Sequence, residues 1–107
     1  MAAEFVKVAK VTDVASGEAV ACEVGDREIA LCNVDGEFYA VENVCTHDDG
    51  ELTGGHLEDH AIVCPRHGAR FDVRTGEVLR MPASFPIRTY TTKIENGTVY
   101  VKVDIDE

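Results

Sequence analysis

The stretch Leu31-Cys32-Asn33-Val34-Asp35-Gly36-Glu37-Phe38-Tyr39-Ala40-Val41 decides the fold class. Two short runs of apolar and aromatic residues flank Asp35-Gly36. An Asx-Gly pair favours a tight turn between antiparallel strands, because both of its residues must take positive φ. The stretch therefore predicts a hairpin. On its N-terminal side, residues 19–24 and 29–34 flank Gly25-Asp26 and predict a second hairpin that shares a strand with the first. Before these, residues 5–11 alternate imperfectly with a period of two. On the C-terminal side, residues 87–94 and 98–103 flank Asn96-Gly97 and predict a third hairpin, with Tyr90 and Tyr100 on the strand faces. No window carries a helical period, and Gly or Pro interrupts most candidates. The expected fold is all-β.

Between the Asp35-Gly36 and Asn96-Gly97 strand pairs lies a region of different character. Residues 45–86 hold all 4 histidines, all 3 prolines and two of the 4 cysteines. Cys45-Thr46-His47 is followed, after 16 intervening residues, by Cys64-Pro65-Arg66-His67-Gly68. Each segment offers one thiolate and one imidazole at a spacing short enough for both to converge from one loop. Four such donors suit a tetrahedral zinc ion or, divided by type, a two-iron cluster. A structural zinc module is the binding-protein alternative, although C-x-H paired with C-x-x-H departs from the usual zinc spacings.

These two segments resemble the cluster-binding loops of the Rieske family. The similarity extends through Gly68-Ala69-Arg70-Phe71-Asp72, Thr75-Gly76-Glu77 and the proline-bearing segment Pro82-Ala83-Ser84-Phe85-Pro86, which in that family covers the cluster. The resemblance implies three antiparallel β-sheets with a small cluster-binding subdomain at one tip, spanning about residues 45–86 of a single domain, 1–107. It implies one Rieske-type 2Fe-2S cluster per chain, with Cys45 and Cys64 on the inner iron and His47 and His67 on the outer. Two thiolates and two neutral imidazoles leave the oxidised centre near neutrality, whereas four thiolates would make it a dianion. The mixed set is accordingly the easier to reduce.

High-potential members of the family carry an inter-loop disulfide and hydroxyls that bond the cluster sulfurs. The matching positions here are Gly50 and Arg66 for the disulfide, Ala69 for the serine and Phe71 for the tyrosine. A low-potential one-electron carrier is expected. The chain is too short for the further catalytic domain of an oxygenase subunit and has no Trp after the second loop. It resembles instead a ferredoxin component that shuttles electrons from a flavin-containing NAD(P)H reductase to a terminal oxygenase. The small subunit of an assimilatory nitrite reductase is the alternative within the same fold.

Composition agrees with this reading. With 107 residues, 20 acidic against 10 basic side chains and a formal charge of −10, the chain is poorly suited to phosphate backbones or anionic membranes, and its expected partners are basic. The chain lacks the roughly 18 consecutive apolar residues of a membrane span. Met1 leads directly into strand-like sequence with no apolar leader, so a cytoplasmic monomer with reduced thiols is expected. We find no Ser/His/Asp, paired-carboxylate or phosphate-loop arrangement, and expect an electron-transfer protein rather than an enzyme.

Other candidates have plainer readings. Cys22 and Cys32 lie in the early strands and are expected to be small buried side chains. His56 and His60 lack a cysteine at short spacing and are expected to be surface or loop residues. Asp48, Asp49, Glu51, Glu58 and Asp59 form either a solvated face or a surface that steers basic partners, with Arg66 and Arg70 interrupting it.

Overall fold

The computed structural model describes residues 3–45, 50–66, 68–81 and 85–104, and among these eleven strands form three antiparallel sheets. The outer sheet joins β1 (Ala3–Lys10), β11 (Thr98–Asp104) and β10 (Thr92–Glu95) in that order. The middle sheet has the order β2 (Ala19–Val24), β3 (Arg27–Val34), β4 (Glu37–Glu42) and β9 (Thr89–Tyr90). The third runs β5 (His56–Glu58), β6 (Ala61–Val63), β7 (Arg70–Asp72) and β8 (Val78–Arg80). The only helical element among the described residues is a single 3-10 turn, Val11–Asp13. It ends the first strand run one residue earlier than its alternation suggests.

The turns follow from local sterics. Asp35 and Gly36 take φ of 53° and 92°, and Asn96 and Gly97 take 51° and 76°. Both Asx-Gly pairs therefore close two-residue hairpins, with Val34 opposite Glu37 and Glu95 opposite Thr98. Asn33 secures the first turn from a buried position: its Oδ1 accepts Gly36 N–H at 2.8 Å and its Nδ2 donates to the Val14 carbonyl at 2.8 Å.

The expected third hairpin needs correction. Residues 87–94 are not one strand: β9 pairs with β4, placing Tyr90 opposite Ala40, whereas β10 pairs with β11. Only the second half of the run thus belongs to the Asn96-Gly97 hairpin. At the junction, Lys102 N–H reaches the Thr91 carbonyl at 2.8 Å, and Ile87 at the start of the run is buried. Passing from one sheet to another depends on tertiary packing, which alternation within a run does not encode. The imperfect alternation of β1 has a cause too. Its register with β11 shifts between Lys7 and Ala9, so Val8 and Ala9 both pack on the core.

The middle sheet is covered on both faces. Ile29 and Leu31 of β3 pack with Phe38, Ala40, Val99, Val101 and Val103 against the outer sheet. The intervening Ala30, Cys32 and Val34 face Leu52, Ile62, Phe71, Val73 and Ile87. That explains why residues 29–32 are apolar without alternation, since a strand with two buried faces needs apolar side chains on both. Full burial of an Ile or Leu side chain contributes about 1.5–3 kcal/mol, so β3 stabilises both layers at once.

Candidate metal centre

Two loops leave this second core and return to it. The first begins after β4, and its Cys45 is fully buried with its N–H donating to the Gly50 carbonyl at 2.7 Å. Asn43, also buried, braces the far end. Its Oδ1 accepts Leu52 N–H at 2.8 Å and Thr53 N–H at 3.1 Å, while its Nδ2 donates to Thr53 Oγ1 at 3.2 Å. Replacing Asn43 by alanine strands the buried Leu52 N–H and is expected to lower stability by about 1–3 kcal/mol. Urea unfolding tests this, and Asn43→Asp, which keeps the shared acceptor, is expected to lose less.

The second loop joins β6 to β7. Cys64 N–H donates to the Ala69 carbonyl at 2.8 Å, and Gly68 N–H returns to the Cys64 carbonyl at 3.2 Å. Gly68 makes this closure with φ of 75°, which a residue with a Cβ adopts only under strain. Cys45 and Cys64 belong to one buried cluster with Leu52, Ile62, Ala69 and Phe71. Each thiol thus stands at the root of a loop whose backbone is closed on itself. His47 and His67, with Asp48 and Asp49, lie outside the described residues.

The donor chemistry fits an iron–sulfur centre. Two thiols rooted in a water-poor core suit the inner, sulfur-ligated half of a mixed cluster, and short loops carry one histidine beyond each. Ala69 and Phe71 are fully buried and offer no hydroxyl to a cluster sulfur. Gly50 and Arg66, matched by sequence to a disulfide position, do meet. The Arg66 guanidinium lies where a Cβ on Gly50 would be, with its Nε 2.7 Å from that point.

The remaining candidates go elsewhere. His56 is exposed on β5 with its Nε2 2.8 Å from Glu58 Oε2, and Glu58 also binds the Arg70 guanidinium. These two hydrogen bonds, His56 first, hold the Glu58 carboxyl below its usual range. His60, in the β5–β6 turn, is half-buried edge-on against Tyr39, with ring centroids 5.7 Å apart. Among the described residues no three His, Cys, Asp or Glu side chains gather to hold a metal ion.

Cys32 is fully buried, and burial pushes its thiol up to about 12. Cys22 is only half-buried and packs on the other face of the middle sheet; burial, then nearby Asp13, raises its thiol. The pair is free and not disulfide-bonded, with Cys32 opposite Ala19 and Cys22 opposite Ile29.

The β7–β8 turn carries its own clasp. The Arg74 guanidinium binds Asp72 through Nε at 3.1 Å and Nη2 at 2.9 Å, and these bonds lower the Asp72 pKa. A lowered carboxylate pKa stabilises the fold above the unfolded-state pKa, and the contribution is lost as pH falls through the folded one.

Two surface features escaped the sequence reading. Asp26, Glu28, Glu42 and Glu51 line a groove of about 370 Å³ with Arg27, Asn43, Val44 and Tyr90, beside the root of the first loop. Leu79, Met81 and Phe85, 54%, 80% and 68% exposed, form an apolar run on β8 and the segment after it. The acidic run of the sequence is interrupted at Arg70 as expected, because Glu58 is engaged by its guanidinium.

Comparison with known proteins bears on this arrangement. Residues 4–91 match the Rieske [2Fe-2S] domain family. The chain is 41% identical over 104 residues to the ferredoxin component of the naphthalene 1,2-dioxygenase/salicylate 5-hydroxylase systems of Ralstonia sp, covering 97% of this chain and 100% of that one. Its structure superposes on the Sphingomonas yanoikuyae B1 ferredoxin with a TM-score of 0.88 and 36% identity, covering 94% of this chain and 100% of the other. A ferredoxin solved in complex with the reduced oxygenase of carbazole 1,9a-dioxygenase gives 0.84 and 34%, with 91% of each chain covered. A nitrite reductase small subunit from Mycobacterium tuberculosis matches at 0.87, covering 97% of this chain and 98% of that one, but at 19% identity it shares the fold alone.

Proposed function

The chain belongs to the Rieske [2Fe-2S] domain family, and from that premise we propose that it serves a ring-hydroxylating oxygenase system, passing single electrons from a flavin-containing NAD(P)H reductase to a terminal oxygenase. It is an electron carrier and carries a Rieske-type 2Fe-2S cluster. Bound there, the cluster supplies a reversible one-electron couple of intermediate potential. Cys45 and Cys64 would hold the inner iron and His47 and His67 the outer. The observation that carries this assignment is the pairing of two self-closed loops, each with a buried cysteine at its root, within the stretch matched to the family.

The absence of hydroxyls at Ala69 and Phe71 supports a potential in the lower part of the roughly −150 to +300 mV Rieske range, because fewer donors stabilise the added electron. Voltammetry on the purified protein tests this, and a midpoint well above zero would overturn it. Partner binding draws on the acidic groove beside the first loop and on the apolar run of Leu79, Met81 and Phe85. The chain acts as a cytoplasmic monomer of one domain, 1–107, with its cluster-binding part at about 45–86. No helix among its described residues is long and apolar enough to cross a membrane.

The deciding experiment reconstitutes turnover. NADH, a flavin-dependent reductase and a terminal oxygenase from a naphthalene dioxygenase system are combined with and without the chain. Product formation that requires the chain and weakens with salt is the expected result. Failure to transfer electrons to the oxygenase, with transfer to a nitrite reductase, would replace the proposal with its alternative. A colourless protein with bound zinc would replace both.

A further inference from the structure

The two metal-binding loops come from different strand pairs, and Arg66 bridges them. Its side chain starts in the second loop, between Cys64 and His67, and its guanidinium covers Gly50 in the first, filling the space a Cβ there would need. Gly50 is also the residue whose carbonyl receives the Cys45 N–H at 2.7 Å. A planar cation from one loop thus lies against the residue that closes the other. The φ of Gly50 lies outside the left-handed region, so its lack of a side chain is tied to the guanidinium above it rather than to backbone strain.

We propose that Arg66 is a positioning residue for the cluster, a non-covalent tie between the two ligand loops that also places a fixed positive charge beside the centre. This inference rests on Cys45 and Cys64 being ligands. The tie keeps the first loop closed over Cys45 and slows loss of iron. The charge favours the reduced state, because an added electron is stabilised by a nearby cation held in place.

The test uses Arg66→Gln, Arg66→Lys, Gly50→Ala and the double variant Gly50→Ala/Arg66→Gln in the full chain. Three readouts are followed: iron release to a chelator, midpoint potential, and hydrogen exchange at the Cys45 amide. Arg66→Gln is expected to release iron about tenfold faster, the lower end of what loss of an outer-shell contact costs, and to shift the midpoint to more negative values. Gly50→Ala displaces the guanidinium but keeps its charge, so faster release is expected with a smaller shift in potential. Because both changes break one contact, the double variant is expected to release iron no faster than the worse single. Arg66→Lys retains the charge without the planar cover, and its midpoint should stay closer to that of the unaltered chain than the midpoint of Arg66→Gln.

Additive effects in the double variant, or wild-type release and Cys45 exchange in Arg66→Gln, would overturn the proposal. Failure of the ligand assignment is visible separately, as absence of the cluster from the unaltered protein or its full retention in Cys45→Ser or Cys64→Ser. In that case Cys45 exchange in the metal-free chain still decides whether Arg66 ties the loops, with unchanged exchange counting against it.

Discussion

Replacing Gly55 by alanine is expected to destabilise the chain by about 3 kcal/mol or more, at the upper end of the cost of forcing extra atoms into a packed site. Gly55 immediately precedes β5, and a Cβ there would overlap the Val63 carbonyl oxygen and come within 3.0 Å of its carbon. That obstacle is backbone, held in the β5–β6 ladder by the pairing of His56 with Val63, so it has no rotamer through which to yield. Relief requires β5 and β6 to part, and Val63 is followed directly by Cys64. The expected result is therefore loss of cluster retention together with a lowered urea midpoint. Gly54→Ala is the control, because the nearest atom its Cβ would meet is Pro65 Cγ at 3.5 Å, an ordinary contact. Near-equal stability of the two variants would show that β5 and β6 accommodate the change.

The second large effect concerns the ligands. Cys45→Ser and Cys64→Ser are each expected to abolish the visible absorption of the cluster and bring iron to background. A serine hydroxyl nearly matches the thiol in size but is a poor ligand for iron–sulfur chemistry. Both sites are buried, so moving a more polar hydroxyl out of water there adds a desolvation cost of about 1–3 kcal/mol. His47→Ala and His67→Ala are expected to lose the cluster as well, through the outer iron. His56→Ala and His60→Ala should keep it, since the first is committed to Glu58 and the second packs on Tyr39. Iron analysis, with EPR after reduction, separates the two groups. Full cluster content in any of the first four, or its loss in either of the last two, contradicts the assignment. Circular dichroism shows whether the sheets persist when the metal is gone.

Sequence reasoning succeeded where the cause was local. The Asp35-Gly36 and Asn96-Gly97 turns were legible because positive φ is a steric property of the two residues themselves. The cysteine loops were legible through their family-like motifs, and the structure places Cys45 and Cys64 in one buried cluster. What escaped needed contacts between distant segments. Residues 87–94 divide between two sheets because Ile94 meets β11, its neighbour across the turn, while Tyr90 meets β4, which is distant in sequence. Gly55 is small because the Val63 carbonyl approaches it, an intrusion invisible to local propensity. The acidic groove draws on the β2–β3 turn, the end of β4 and Glu51, so no charge run announced it. The meeting of Gly50 with Arg66 stands between these cases: family resemblance paired the two positions, and only the folded chain showed a guanidinium filling the gap.

The doubly covered middle sheet sets a limit on transplantation. The strands that carry the cysteine loops bring Leu52, Ile62, Phe71 and Val73 to their core, but the opposite wall of that core is Ala30, Cys32, Val34 and Val41. Residues 45–86 lifted into a foreign scaffold would arrive with half of their interior exposed. The portable unit is larger than the metal-binding motif, and a host would have to supply a two-faced strand pair in the place of β3 and β4.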